Sequence, residues 1–259
     1  MPDVHSVIVQ KDDSGMSIES REVYAHCTIE RIPVIARDGE SIIRGELDAE
    51  LDAGTLVVGS VEVVSDVLQT LGVEIPVPDY YPDVLAHALH RHVEKTSASD
   101  ALARLERGEE FFVKSAGWKL MTGQLADGDS TRDQLQALGA EAEVWVSEPV
   151  RFVSEYRAYV NQGEVLGVGC YSTEDSATPD LRVIWEAARL LADTPGTPLA
   201  YAFDWGVLED GTTALVEMND GWAIGLYDGV TRRQYFELLE ARWCQLAMAA
   251  HKPAIKPRQ

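Results

Sequence analysis

The pattern of hydrophobic and polar positions divides the chain into three stretches, each mixing short apolar runs with helical spacing. Residues 6–10, 32–36 and 55–59 are apolar runs of strand length. After Gly59-Ser60, residues Val61, Val64, Val67, Leu68 and Leu71 recur at helical spacing, and Gly72 and Pro76 close the segment. Strand, glycine and helix predict a small α/β unit over residues 1–76. In residues 77–142, Pro82 stands at a first helical position, so the segment running through His87, His90 and His92 is predicted to be a helix. Residues 110–114 then form an apolar strand that ends in Lys114. Residues 143–259 open with a strand at 143–150, broken by Pro149. A hairpin of 151–160 and 164–171 turns at Asn161-Gln162-Gly163. A helix over 179–192 has Thr178 as its N-cap and Leu181, Ile184, Trp185, Ala188 and Leu191 as its core face. A last helix from Thr231 turns Tyr235, Leu238, Leu239, Ala241 and Leu246 inward.

A second hairpin lies between these helices and carries the chemistry. Its strands are residues 203–208 and 213–218, and Asp210-Gly211 suits a two-residue turn. With that turn Glu209 pairs with Thr212, and counting outward sets Asp204 opposite Glu217. Such a pair has Cβ atoms about 4.5–5.5 Å apart. Asn219 points the same way, while Phe203, Trp205, Val207, Ala214, Val216 and Met218 point to a core. Two opposed carboxylates repel, which a Lys, an Arg or, better, a divalent cation would relieve. Three oxygen-bearing side chains on one face suit Mg²⁺; a solvated acidic hairpin face is the alternative. In the first hairpin Glu155, Arg157 and Tyr159 share a face, which fits a ligand site or a plain cross-strand charge pair. Lys114 ends its strand beside Ser115-Ala116-Gly117, with Lys119 soon after. No other lysine lies between Lys95 and Lys252.

The segments FVK, WKLMTG and SEYRAYV, followed by an Asp, an acidic turn and a strand ending Glu-x-Asn, resemble the ATP-grasp superfamily, in particular its compact bacterial members. The resemblance implies an α/β fold of two α+β lobes that clamp ATP. These would be residues 77–142 and residues 143–259, preceded by the α/β domain 1–76, which in the family helps to bind the acceptor substrate. It implies Asp204, Glu217 and Asn219 as Mg²⁺ ligands, and Lys114 and Lys119 as contacts to the ATP phosphates. Glu148 and Val150 would lie at the hinge that receives adenine, and Glu155 would hold the ribose. Arg157, with Lys119, would act on the transferred group. Many ligases of the family carry an arginine two residues before the metal-binding Asp; here that residue is Ala202. The job would then fall to Arg157 or Arg182, or standard ligase chemistry is absent. The implied activity is ATP- and Mg²⁺-dependent joining of a small-molecule or peptide carboxylate to an amine or related nucleophile through an acyl-phosphate. A kinase-like phosphotransferase and a catalytically inactive ATP-binding module are the alternatives, and homodimerisation is left open.

Composition narrows this further. With 43 acidic against 22 basic residues the net charge is −21, which argues against a nucleic-acid partner but leaves room for a nucleotide held by a few local cations. Cys27, Cys170 and Cys244 are far apart and odd in number, as for reduced thiols in a cytoplasmic protein. His87, His90 and His92 have no carboxylate or thiol to complete a metal set. No apolar run reaches the roughly 20 residues of a membrane span, and the N-terminus lacks a signal-peptide pattern.

Overall fold

The computed structural model describes residues 4–47, 51–118, 121–172 and 177–250, with side chains to residue 247. The first domain contains β1 (Ser6–Lys11), α1 (Ile18–Glu30), β2 (Val34–Asp38), α2 (Gly39–Ile43), β3 (Thr55–Val58) and α3 (Val61–Thr70). Its strands form a parallel sheet in the order β2-β1-β3. The three predicted strands and α3 are present, and Ser60 caps α3 by accepting from the Val63 amide. Helix α1 is absent from the sequence reading because its periodicity is weak: it buries only Ser20, Val23, His26 and Cys27.

The segment after Pro82 is not the predicted helix. It makes a short 3₁₀ turn, Asp83–Ala88, and then enters strand β4 (Val93–Ser97). His90 adopts a φ of 50°, in the left-handed region, which no continuing helix accommodates. There follow α4 (Ala98–Glu106), β5 (Phe112–Ser115), β6 (Gln124–Leu125), α5 (Gly128–Leu138) and β7 (Glu143–Ser147). The antiparallel sheet runs β4-β7-β5-β6, so β7 is hydrogen-bonded between β4 and β5 rather than to the strands that follow it. Ala98, Ala101, Phe111, Val113, Leu135, Val144 and Val146 form one core between this sheet and helices α4 and α5. The alternation of β5 therefore turns Lys114 to the opposite face.

The third sheet is β11-β10-β8-β9, built from β8 (Phe152–Asn161), β9 (Glu164–Cys170), β10 (Ala200–Leu208) and β11 (Thr213–Asp220). One face carries Ala158, Val160, Tyr201, Phe203, Trp205 and Leu215 into a core with α6 (Leu181–Ala192) and the segment around Tyr80 and Leu85. Each large side chain buried there contributes about 1.5–3 kcal/mol. Helix α6 begins two residues later than predicted, with Asp180 rather than Thr178 as N-cap. Its buried face is Ile184, Ala187, Ala188 and Leu191, while Leu181 and Trp185 are exposed. The two small residues bring the helix close to the sheet and leave the bulkier pair on its flank. The opposite face of the sheet meets α7 (Arg232–Ala250) at one end, where Tyr159, Ala200 and Ala202 are buried with Tyr235, Leu239 and Trp243. Among the described residues no helix is long and apolar enough to cross a membrane.

The hairpin of β10 and β11 pairs Asp204 with Glu217, as counted from the sequence, but by a different route. Leu208 donates its amide to the Thr212 carbonyl, so the loop holds three residues, Glu209, Asp210 and Gly211. That shifts the pairing by one: Trp205 faces Leu215 and Val207 faces Thr213. A bulge at Val216, between Asp204 and Trp205 on the partner strand, restores the count. Leu215 consequently fills the core in place of the predicted Val216. Arg91 holds the bulge in place. Its Nη1 donates to the Leu215 carbonyl at 2.7 Å and its Nη2 to the Val216 carbonyl at 2.9 Å.

Candidate active site

Between the second and third sheets lies a cleft of about 630 Å³. Glu148, Val150, Glu155 and Glu217 all line it, together with Arg91 and Phe152. Residues far apart in sequence thus converge on one space. Glu148 accepts from the His92 amide (2.9 Å) and returns its own amide to the His92 carbonyl (3.1 Å), which fixes the segment after β7 against β4. Val150 is exposed at the cleft wall. Glu155 accepts from the Tyr171 hydroxyl at 2.9 Å. Gly206, directly across from Glu155, leaves room for the Phe152 ring: a Cβ there would lie 2.0 Å from Phe152 Cδ1.

The charged floor is one row across the third sheet, Glu217–Asp204–Arg157–Gly169 from β11 to β9. Arg157 donates Nε and Nη2 to the two oxygens of Asp204, each at 2.7 Å. Lys114 comes from the second sheet and donates Nζ to Glu217 Oε2 at 2.5 Å, while Asn219 Nδ2 donates to Glu217 Oε1 at 2.9 Å. The Lys114 ammonium also sits 3.3 Å from the centre of the Tyr80 ring. The repulsion between the opposed carboxylates is therefore relieved by two side-chain cations, one from each lobe.

Burial sets the titration of these groups. Asp204 is 3% exposed, and desolvation pushes its carboxyl up to about 6 in spite of Arg157. Burial also raises Glu217, but Lys114 and Asn219 outweigh it and hold that carboxyl below its ordinary value. Lys114 is itself held below the usual lysine range by desolvation, which Glu217 only partly offsets. Burial lowers Arg157 as well, but Asp204 outweighs it and holds the guanidinium above its ordinary value.

The donor set can be weighed against Mg²⁺. Among the described residues no group of three or more His, Cys, Asp and Glu is gathered to hold a metal, so the set depends on the amide of Asn219. Asn219 turns its amide nitrogen to Glu217, which leaves its carbonyl oxygen for a ligand. Glu217, half-buried, offers hard oxygens at the cleft, and Asn219, also half-buried, stands beside it, while Asp204 has both oxygens on Arg157. A carboxylate has about four lone-pair sites, so Asp204 can serve Arg157 and a cation together. The residues fit Mg²⁺ on that basis.

Lys119 lies outside the described residues. Arg182 is exposed and bound to Asp180 at the start of α6, so of the two arginines weighed as replacements for the one missing at Ala202, only Arg157 stands on the floor. Arg91 escaped the sequence reading because it was assigned to a helix surface. The segment 225–230 escaped it as well. It lies over β8 and β9: Arg157 Nη1 and the Tyr159 hydroxyl both donate to the Gly225 carbonyl, and Tyr227 stacks on Tyr171 with ring centres 5.0 Å apart. A Cβ on Gly169 would lie 1.6 Å from the Asp228 carbonyl oxygen, so only glycine admits this strap.

A family model described as an ATP-grasp domain, the second family of its clade, matches residues 89–238. The fold is similar to that of D-cycloserine synthetase DcsG, with 14% identity, 95% of this chain and 99% of that chain covered, and a TM-score of 0.52. Further similar structures are a RimK domain ATP-grasp protein from Sphaerobacter thermophilus (16% identity, 95% and 100% covered, TM-score 0.49) and D-alanine–D-alanine ligase from Bacillus anthracis (13%, 95% and 98%, 0.46). A comparison with curated proteins finds no match. The family model spans more than half of the chain and takes in both lobes around the cleft, and the chain belongs to the ATP-grasp family.

Proposed function

We propose that this chain is an ATP-dependent ligase that joins a carboxylate to an amine or related nucleophile. The observation that carries the reading is that Glu217, with Lys114 and Asn219 bonded to it and the Asp204–Arg157 pair beside it, lines the same interlobe cleft as Glu148, Val150 and Glu155. A space of about 630 Å³ is of the size of small-ligand pockets, roughly 300–1,000 Å³. The base would lie against the segment of Glu148 and Val150, and the ribose at Glu155. Lys114, with Lys119, would neutralise the phosphates.

Asp204, Glu217 and Asn219 would hold Mg²⁺, which when bound supplies charge neutralisation at the phosphate oxygens. An oxygen of the substrate carboxylate attacks the γ-phosphorus, the bond to the β-phosphate oxygen breaks, and ADP leaves. The amine nitrogen then attacks the acyl carbon, phosphate departs with the bonding pair, and the nitrogen loses a proton. Arg157 would stabilise the transferred phosphoryl group. No side-chain nucleophile is needed, because positioning and charge neutralisation carry the catalysis. In this division of labour the lobe of the second sheet, which runs on through β7, and the lobe of the third sheet would clamp the nucleotide, and residues 1–76 would serve the second substrate.

The test is ADP and phosphate release with carboxylate and amine pairs, followed by mass spectrometry of the product. Stoichiometric ADP, phosphate and a condensed product support the reading. ADP with a stable phosphorylated product would make the chain a phosphotransferase, and nucleotide binding without turnover on any pair would make it a binding module.

A further inference from the structure

Tyr80 lies in the segment that joins the first domain to the second sheet, outside every strand and helix. It is 5% exposed, and it touches three parts of the candidate site. The face of its ring carries the Lys114 ammonium, 3.3 Å from the ring centre. Its carbonyl accepts from the Met218 amide at 2.9 Å, on β11 between Glu217 and Asn219. Its hydroxyl reaches the Gly117 carbonyl at 3.5 Å, in the loop after β5. The backbone bond, and burial in one core with Leu85, Trp205 and Met218, fix the ring relative to β11. The cation that rests on the ring comes from β5 of the other sheet.

Lys114 has need of such a partner. It is 7% exposed, and burial holds its ammonium below the usual lysine range. Of the three donors of an ammonium, one goes to Glu217 Oε2. Burial pushes the Tyr80 hydroxyl up to about 12, so at neutral pH the side chain is an uncharged phenol. It therefore offers Lys114 the negative face of a ring rather than a second anion. Tyr81 is a weaker neighbour, its ring centre 6.0 Å from the same ammonium. The two contacts of Lys114 also differ in what a nucleotide does to them. In the ligase reading Glu217 serves Mg²⁺ and Lys114 serves the phosphates, so their mutual bond is given up on binding. The ring face serves neither ligand and is retained.

Resting on the ligase reading, we propose that Tyr80 is a positioning residue: its ring is the seat that keeps the Lys114 ammonium in place for the nucleotide phosphates when Glu217 is engaged by Mg²⁺. Without the ring the ammonium settles on Glu217 alone, where it competes with the metal for the carboxylate.

The experiment is calorimetric titration of Mg·ATP into the full chain carrying Tyr80→Phe, and then the mono-, di- and trifluorinated analogues of phenylalanine at the same position. Fluorine withdraws electron density from the ring face at nearly constant ring size, so the series weakens a cation–ring contact and keeps the packing. The trifluorinated ring should bind Mg·ATP about tenfold more weakly than Tyr80→Phe, with the other analogues falling in order between them. Urea unfolding of the unliganded chain gives a second readout. Stability should fall along the series when Lys114 is present and stay level in Lys114→Met, where the fluorines face no cation. Mg·ATP affinity that is level along the series overturns the positioning role. An equal decline of stability in Lys114→Met assigns the effect to packing and also overturns it. The two levels separate in the wild type: failure to bind Mg·ATP at all defeats the ligase reading and this role with it, whereas binding with a level series defeats this role alone.

Discussion

Replacing Arg91 by Met tests how the hairpin of β10 and β11 keeps its register. The guanidinium donates to the carbonyls of Leu215, Val216 and Leu89 at 2.7, 2.9 and 3.1 Å. The first two belong to the bulge that brings Glu217 opposite Asp204. Hydrogen bonds from a charged donor contribute about 1.5–3 kcal/mol each. Part of that is offset because burying a guanidinium is itself costly, and burial does hold Arg91 below its ordinary value. A net loss of about 2–3 kcal/mol follows, with two bulge carbonyls left facing the cleft. At roughly 2–4 °C per kcal/mol for a chain of this size, the melting temperature should fall by about 4–12 °C. Amide exchange in β10 and β11 should accelerate relative to the first domain, and nucleotide affinity should fall with it. Arg91→Lys should not rescue, since one ammonium cannot span two carbonyls in a fixed fork. Unchanged melting and unchanged exchange in Arg91→Met would refute the argument that this side chain secures the bulge.

Further predictions concern the floor and its cover. Lys114→Met leaves Glu217 with Asn219 alone; it should cost about 2 kcal/mol by chemical denaturation, less than a fully buried pair because Glu217 keeps some solvent contact, and should remove most ATP affinity in a direct titration. The Asp204 carboxyl titrates at about 6 in the folded chain against an ordinary 3.8, so its stabilising contribution is full below 3.8 and lost as pH rises through 6. Urea unfolding across that window should show the wild type losing roughly 3 kcal/mol relative to Asp204→Asn; parallel pH profiles would contradict the assignment. Gly169→Ala drives a Cβ into the Asp228 carbonyl, and loss of about 1–3 kcal/mol with faster exchange at Tyr227 should follow.

Much of the third sheet was legible because period-two alternation and a turn dipeptide are local signals. The Asp204–Glu217 pair is instructive, since its prediction holds through two departures that cancel. The loop is one residue longer than counted, and Val216 bulges by one residue to compensate. Nothing local to the hairpin announces the bulge, because Arg91 stabilises it from more than a hundred positions away. The helix expected after Pro82 failed for a similar reason: Arg91 and the backbone around it are committed to tertiary hydrogen bonds, and His90 turns left-handed to deliver them. Lys114 and Arg157 were singled out by their positions, but their partners were not, since Lys114 reaches Glu217 across two sheets and Arg157 meets Asp204 only because β8 lies beside β10, a strand further on in the chain.

The most direct test of the nucleotide site is thermal unfolding with ATP, with and without Mg²⁺, for the wild type and Glu217→Gln. A ligand that binds only the folded chain stabilises it by about 2.7 kcal/mol at a hundredfold excess over Kd. The account predicts an upward shift that requires Mg²⁺ and that Glu217→Gln loses. No shift at millimolar ATP, or an equal shift in the variant, would contradict it.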